Sequence, residues 1–140
     1  MLIAPKLDPQ TVGNAGLYYV CYRLSRMGWN VMPTARNARG IDIIAYDQAG
    51  RRFIGIQVKS LSKRSPVPLG KTLDKIMGDW WVIVNNMAKD PTAFVLTPSE
   101  VRSLAHTSGT GEKLAWWLEY RDYGQEHFRE AWHRIGLGVS

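Results

Sequence analysis

The sequence predicts an α/β domain in which a central mixed sheet of about five strands is flanked by helices. Three observations carry this. An apolar set at helical spacing comes first, Leu17, Val20, Cys21, Leu24 and Met27. Four short runs rich in β-branched and aromatic residues follow, at 41–46, 53–58, 80–84 and 92–96, divided by clusters of Gly, Pro, Asn and Asp. Then Thr97-Pro98-Ser99-Glu100 supplies a capping box with Pro at the first helical position, the signature of a new helix.

With 140 residues the chain is long enough for one domain with a sizeable core. We read 1–140 as that domain, with 1–12 an N-terminal arm and 113–140 a C-terminal strand and helix extension. Its 45% hydrophobic and 21% charged residues are ordinary for a globular protein. The opening Met1-Leu2-Ile3-Ala4-Pro5-Lys6 is too short an apolar run for a signal peptide. No stretch approaches the roughly 18 apolar residues of a membrane span, so no membrane partner is expected. Cys21 is the single cysteine, so no internal disulfide can form. It reads as a small buried residue of the first helix and points to a reducing, cytoplasmic setting.

Taken in order, residues 1–12 hold two prolines and no periodicity. A helix is predicted over 14–27, capped by Asn14 or Thr11 and stopped by Gly28. Residues 29–33 read as a short strand and 34–40 as a basic loop. Residues 41–46 and 53–58 form a hairpin about Asp47-Gln48-Ala49-Gly50. Residues 61–70, with Ser62, Ser65, Pro66, Pro68 and Gly70, read as a mobile cationic loop, and 71–77 as a turn of helix. The run Trp80-Trp81-Val82-Ile83-Val84 is a strand buried on both faces. After the helix that begins at Thr97, residues 106–112 read as a loop, 113–120 as a strand or a helix, with the strand favoured, and 125–135 as a last helix. That helix would bury Phe128, Ala131, Trp132 and Ile135. The tryptophans 80, 81, 116, 117 and 132 are read as core, and His106, His127 and His133 as surface residues without zinc spacing.

The chemistry is concentrated in the hairpin. Asp42 follows Gly40 at the start of the first strand, and Gln57 and Lys59 stand two apart in the second. Strand side chains alternate, so Gln57 and Lys59 share a face, and the turn brings their end back toward Asp42. The residues also allow a plain reading, with Asp42 a turn residue and Gln57 and Lys59 on a solvated edge. Against it, Ile41, Ile43 and Ile44 surround Asp42 with apolar chain, and Ile54, Ile56 and Val58 do not leave a clean polar face. A half-buried carboxylate and lysine need partners to offset desolvation. The net charge of +6 suits a polyanion. Many cations sit around this stretch: Arg36, Arg39, Arg51, Arg52, Lys63, Arg64, Lys71 and Lys75.

This Asp…Gln-x-Lys pattern, with 15 positions from Asp42 to Gln57, resembles the PD-(D/E)xK nuclease superfamily, whose core hairpin carries an Asp and then (D/E)xK. The Gln form is similar to the Mrr-like branch of restriction endonucleases. The Gly-rich start, the helix ending Met27-Gly28-Trp29 and the strand Gly40-Ile41-Asp42-Ile43-Ile44-Ala45 look like that branch and like archaeal Holliday-junction resolvases. The resemblance spans roughly residues 12–100.

It implies a restriction-endonuclease-like fold and a divalent-metal-dependent DNA endonuclease with Asp42, Gln57 and Lys59 at its centre. Mg²⁺ or Mn²⁺ would be held by Asp42, the Gln57 side-chain oxygen and the Val58 carbonyl, with DNA phosphates contacted by Arg36, Arg39, Lys63 and Arg64. It also admits a homodimer, since members of the superfamily often pair to cut two strands. The family often has a Glu on the first helix, where this chain has Asn14; Asn14 is a candidate site member or a plain helix cap. With Gln57 and Asn14 both neutral, a carboxylate such as Asp8 or Asp47 could assist the metal. The alternative is a module of the same fold with weakened metal ligation, which binds nucleic acid or a partner protein without cutting.

Overall fold

The computed structural model describes residues 5–35 and 40–140. The first helix, α1 (Pro9–Arg26), starts earlier than its periodicity suggests. Asp8 is the cap: its carboxylate accepts from the Thr11 N–H at 2.8 Å, and Pro9 takes the first helical position. Residues 9–12 of the expected arm are therefore helix, and neither Asn14 nor Thr11 caps it. Gly28 ends the helix at φ 94°, a left-handed conformation that suits glycine. Val12, Gly16, Val20 and Leu24 make the buried stripe.

That stripe lies on a five-stranded mixed sheet of order β1-β2-β3-β5-β6. Strands β1 (Asn30–Pro33), β2 (Ile43–Tyr46) and β3 (Phe53–Ser60) are successive antiparallel neighbours. β5 (Trp80–Asn85) lies parallel to β3, and β6 (Thr92–Leu96) antiparallel to β5. On one face Val20, Leu24, Trp29, Ile43, Ile56 and Val82 form the core beneath α1. On the other Trp81, Ile83, Phe94, Leu96 and Val101 pack under the second helix and a second sheet. Trp81–Asn85 are buried, as expected of a strand covered on both sides.

Gly16 sets the depth at which α1 docks. A Cβ there would overlap Ser60 Oγ and lie 2.6 Å from Ser60 Cβ, so only glycine allows the helix to meet the end of β3.

The predicted loop at 61–70 divides. Residues 61–63 are tied to the turn after β5, where the carbonyls of Leu61, Ser62 and Lys63 accept from the N–H groups of Met87, Ala88 and Asn86. Residues 67–70 are instead a strand, β4 (Val67–Gly70). It pairs with β8 (Ala115–Leu118), which pairs with β7 (His106–Ser108), giving the three-stranded sheet β4-β8-β7. The strand expected near 113–120 is thus present, and it extracts a further strand from each of two segments read as loops. The turn of helix expected at 71–77 is absent, and the chain runs through turns there.

The capping box forms as predicted on α2 (Pro98–Leu104): Thr97 Oγ1 accepts from the Glu100 N–H at 3.1 Å, and the Glu100 carboxylate accepts from the Thr97 N–H at 2.8 Å. Burial alone would raise the Glu100 pKa; the Thr97 N–H and the Arg134 guanidinium at 3.0 Å hold it below the usual carboxylate range. Thr97→Ala is expected to cost about 1 kcal/mol. For a domain near this size that lowers the melting temperature by roughly 2–4 °C, measurable by thermal denaturation followed by circular dichroism.

The last predicted helix does not form. A short helix, α3 (Tyr120–Tyr123), is followed by turns and a 3-10 turn at Trp132–Arg134. Phe128, Ala131, Trp132 and Ile135 are buried as expected, but through an irregular path. Glu130 takes φ 45°, its N–H donates to the Ala93 carbonyl at 2.7 Å, and the Phe128 carbonyl accepts from the Val95 N–H at 2.9 Å. These bonds, with a bridge of Phe94 to Arg129, cover the free edge of β6. Covering an edge replaces the helical hydrogen bonds this segment would otherwise make. Trp81 and Trp132 are core residues, while Trp80, Trp116 and Trp117 are half-buried. His127 and His133 are exposed, but His106 is half-buried, 2.7 Å from Asp122 and stacked on Trp117. No described helix is long and apolar enough to cross a membrane.

Candidate active site

The register of three strands assembles the site. Ile43 of β2 stands opposite Ile56 of β3, so Asp42, the residue just ahead of β2, lies beside the second half of β3. Its N–H donates to the Ile56 carbonyl at 2.9 Å, and its carboxylate accepts from the Val58 N–H at 2.7 Å. Within a strand a residue's N–H and C=O face the same neighbour, so the Val58 carbonyl shares that side with Asp42. Burial pushes the Asp42 pKa up; the Val58 N–H and the positive charge of Lys59 offset part of this.

Gln57 and Lys59 point to the sheet face away from α1, where Gln57 stands opposite Trp81 of β5 and Lys59 opposite Ile83. Both line a cleft of about 560 Å³ between the sheet, β4 and the turns at 72–77. Gln57 is buried, and among the described residues its Oε1 has only a long contact with the Met77 N–H at 3.4 Å. Lys59 Nζ lies 5.7 Å from the centre of the Trp81 ring. No described acid forms an ion pair with it.

The other sequence candidates fall as follows. Lys63 and Arg64 are exposed just beyond the end of β3, and Arg64 lies over Tyr120 at 5.9 Å. Arg36 and Arg39 lie outside the described residues. Asn14 is exposed on α1 and makes no hydrogen bond to Asp42, Gln57 or Lys59 among the described residues. Asp8 caps α1, and Asp47 accepts from Arg51 and Arg52 N–H groups in the hairpin turn, at the end of the hairpin away from Asp42. Neither makes a hydrogen bond to Asp42, Gln57 or Lys59 among the described residues. Arg51 and Arg52 also belong to that far end, with Arg52 over Trp29 at 5.0 Å. Cys21 is half-buried and burial raises its thiol pKa, as befits a packing residue.

The sequence reading missed the wall formed by Thr72, Asp74, Ile76, Met77 and Trp81. Only the parallel pairing of β3 with β5 brings Trp81 beside Gln57, and no hairpin signal connects those strands.

Solved structures share this architecture. The bacterial homing endonuclease I-Ssp6803I superposes with a TM-score of 0.60 over 92% of this chain and 93% of that one, at 20% identity. The fold is restriction-endonuclease-like. The Holliday-junction resolvase Hjc of Archaeoglobus fulgidus is also similar, with a TM-score of 0.47 at 16% identity over 76% of this chain and 90% of that one. No family model matches the sequence, and no curated protein does.

On this restriction-endonuclease-like scaffold the donor set can be tested against a metal. One Asp42 oxygen is taken by Val58, leaving the other, the poorly partnered Gln57 Oε1 and the Val58 carbonyl. All are hard oxygen donors, the kind Mg²⁺ and Mn²⁺ accept. They fit such an ion, with a single negative charge. Among the described residues no three His, Cys, Asp or Glu side chains cluster to hold a metal more strongly.

Proposed function

We propose that the protein is a divalent-metal-dependent DNA endonuclease. The observation that carries this is the Asp42 carboxylate, half-buried and anchored on the Val58 N–H, coupled to Lys59 beside a cleft lined by Gln57 and Lys59. Burial without a neutralising acid–base pair leaves Asp42 short of positive charge, which a bound cation and Lys59 would supply. Mg²⁺ or Mn²⁺ on Asp42, Gln57 and the Val58 carbonyl would polarise the scissile phosphate. Lys59, with no described acid to pair with, is placed to orient the attacking water or to offset charge that develops on the phosphate. Trp81 beneath it restricts where the ammonium sits. Lys63 and Arg64 would hold phosphates past the end of β3, and Arg36 and Arg39, a few residues ahead of Asp42 in the sequence, would add to them. A homodimer would allow both strands to be cut. The single carboxylate favours a second reading, in which the site binds DNA but holds metal too weakly to cut.

The deciding experiment is nicking of supercoiled plasmid with Mg²⁺ or Mn²⁺, beside calorimetric metal titration, for the parent, Lys59→Ala and Gln57→Glu. The parent is expected to cut and Lys59→Ala to lose cutting while still binding DNA, since its interaction belongs mainly to the transition state. Gln57→Glu adds a charge at the same reach and is expected to tighten metal binding. If only Gln57→Glu cuts, the binding-module reading holds; if none binds metal or cuts, the catalytic reading is wrong.

DNA binding by the loop after β3 has its own readout. Lys63→Ala with Arg64→Ala should reduce the slope of log affinity against log salt by up to ~2, about 0.9 for each phosphate no longer neutralised. An unchanged slope in an anisotropy titration places the loop away from DNA.

A further inference from the structure

The segment 106–118 is small and polar at its centre, Thr107-Ser108-Gly109-Thr110-Gly111-Glu112-Lys113, and the catalytic reading leaves it without a role. The structure makes it a braced hairpin. Gly109 takes φ 84°, and a Cβ there would run into the Lys113 carbonyl oxygen, so the turn closes tightly. Thr107 Oγ1 donates to the Ala115 carbonyl at 3.1 Å. At the base His106 stacks on Trp117 and meets Asp122 at 2.7 Å, and Trp117 Nε1 donates to Glu119 at 2.8 Å. The tip has no such partners: residues 107–113 are all exposed.

Register places this tip. Ser108 stands opposite Ala115, and Gly70 opposite Trp116, so the tip and the Gly70-Lys71 end of β4 lie at the same end of the second sheet. From that end the chain passes into residues 72–77, the wall of the cleft that holds Gln57 and Lys59. Lys71, Lys75 and Lys113 are exposed there, and none forms an ion pair among the described residues. A polyanion seated in the cleft therefore meets these unpaired lysines, with the acids Asp74 and Glu112 among them, and a polar turn beside them. The turn, closed by the 3-10 segment Gly111–Lys113 and carried on the paired strands β7 and β8, is narrow against a major groove about 12 Å wide, and Ser and Thr hydroxyls bond base donors and acceptors alike.

We infer that the β7–β8 hairpin is the DNA-reading element of this protein. It enters the major groove beside the phosphate held in the cleft, with Ser108 and Thr110 at base edges and Lys71 and Lys113 on flanking phosphates. This rests on the endonuclease reading for the occupant of the cleft, and it adds the source of sequence preference.

The test is a selection by binding, in Ca²⁺, from a library of randomised DNA duplexes, run for the parent and for the triple variant Ser108→Ala, Thr110→Ala, Lys113→Ala. These exposed changes should leave the melting temperature nearly unchanged, which establishes folding. The parent is expected to enrich a preferred sequence, and the variant to lose that preference over adjacent positions, on the order of tenfold or more per position. A variant that enriches the parent's sequences with the parent's affinity overturns the inference, as does a parent that binds duplexes but enriches none. A parent that enriches a sequence yet nicks no plasmid removes the endonuclease reading and leaves the hairpin's role standing. A parent that binds no duplex at all removes both.

Discussion

Asp42→Asn is expected to abolish plasmid nicking, by on the order of 10³-fold or more, and to yield a protein that melts higher than the parent. The loss of cutting follows because the substitution removes the one negative charge in the donor set while keeping the side chain's size. The gain in stability follows from the same burial. The folded protein disfavours the charged form of Asp42, so its pKa is raised mainly by desolvation. At a pH below the ordinary carboxylate value of about 3.9 the group is protonated in both states and carries no penalty. As pH rises from there to the raised folded value, the unfolded chain releases its proton first and the parent loses stability. Above the folded value the loss is complete. The Asp42→Asn variant lacks this penalty, and its amide oxygen can still accept from Val58. The melting-temperature gap between variant and parent should therefore open above about pH 4 and persist at neutrality. A variant less stable than the parent at pH 7 would show that Asp42 is compensated in the free protein and is not waiting for a cation.

Gly16→Ala is expected to destabilise the fold by about 1–3 kcal/mol, the usual range for forcing an extra carbon into a packed contact. The added Cβ meets Ser60 Oγ and Cβ, and only then the Ser60 backbone at an ordinary 3.6 Å. Both clashing atoms disappear in Ser60→Gly. The double variant Gly16→Ala with Ser60→Gly should recover most of the loss, apart from the weaker strand propensity of glycine. Ser60 Oγ is buried with no hydrogen-bond partner among the described residues, so removing it forfeits no bond there. Because Ser60 follows Lys59, the single variant should also depress nicking more than its stability loss explains, and the double variant should restore it. Denaturant titration with plasmid nicking on the four proteins of the cycle decides the matter. If the double variant is no better than Gly16→Ala alone, the contact with Ser60 does not set the docking depth.

Much of this site was legible because its parts are local. Gln57 and Lys59 share a face through strand periodicity, and Asp42 returns to β3 beside Val58 through a hairpin whose turn residues are adjacent in sequence. The capping box at Thr97 was equally plain, since its two bonds span three residues. Gly28 as a helix stop needed only its left-handed conformation. The misreadings share a different cause. Residues 125–135 carry an apolar pattern at helical spacing, yet the edge of β6 takes up their backbone groups. Residues 67–70 and 106–108 looked like loops because Pro68, Gly70 and the small polar residues 107–111 suppress strand propensity. They became strands when β8 supplied hydrogen bonds to both sides. Asp8 and Asp47, plausible as metal ligands by residue type, are spent on nearby N–H groups.

Residue order thus dictated what neighbours along the chain can decide among themselves: the capping box at Thr97, the strand faces and the hairpin that carries Asp42, Gln57 and Lys59. The parallel pairing of β3 with β5, the cleft with Trp81 and residues 72–77 on its wall, and the β7–β8 hairpin at its rim came only with the tertiary structure. These contacts join segments separated by 20 or more residues, as in Gln57 with Trp81 or Gly70 with Trp116. Nothing in the intervening turns encodes such partners. They are selected by the burial of whole faces and by unpaired strand edges seeking hydrogen bonds, quantities that exist only once the chain is packed.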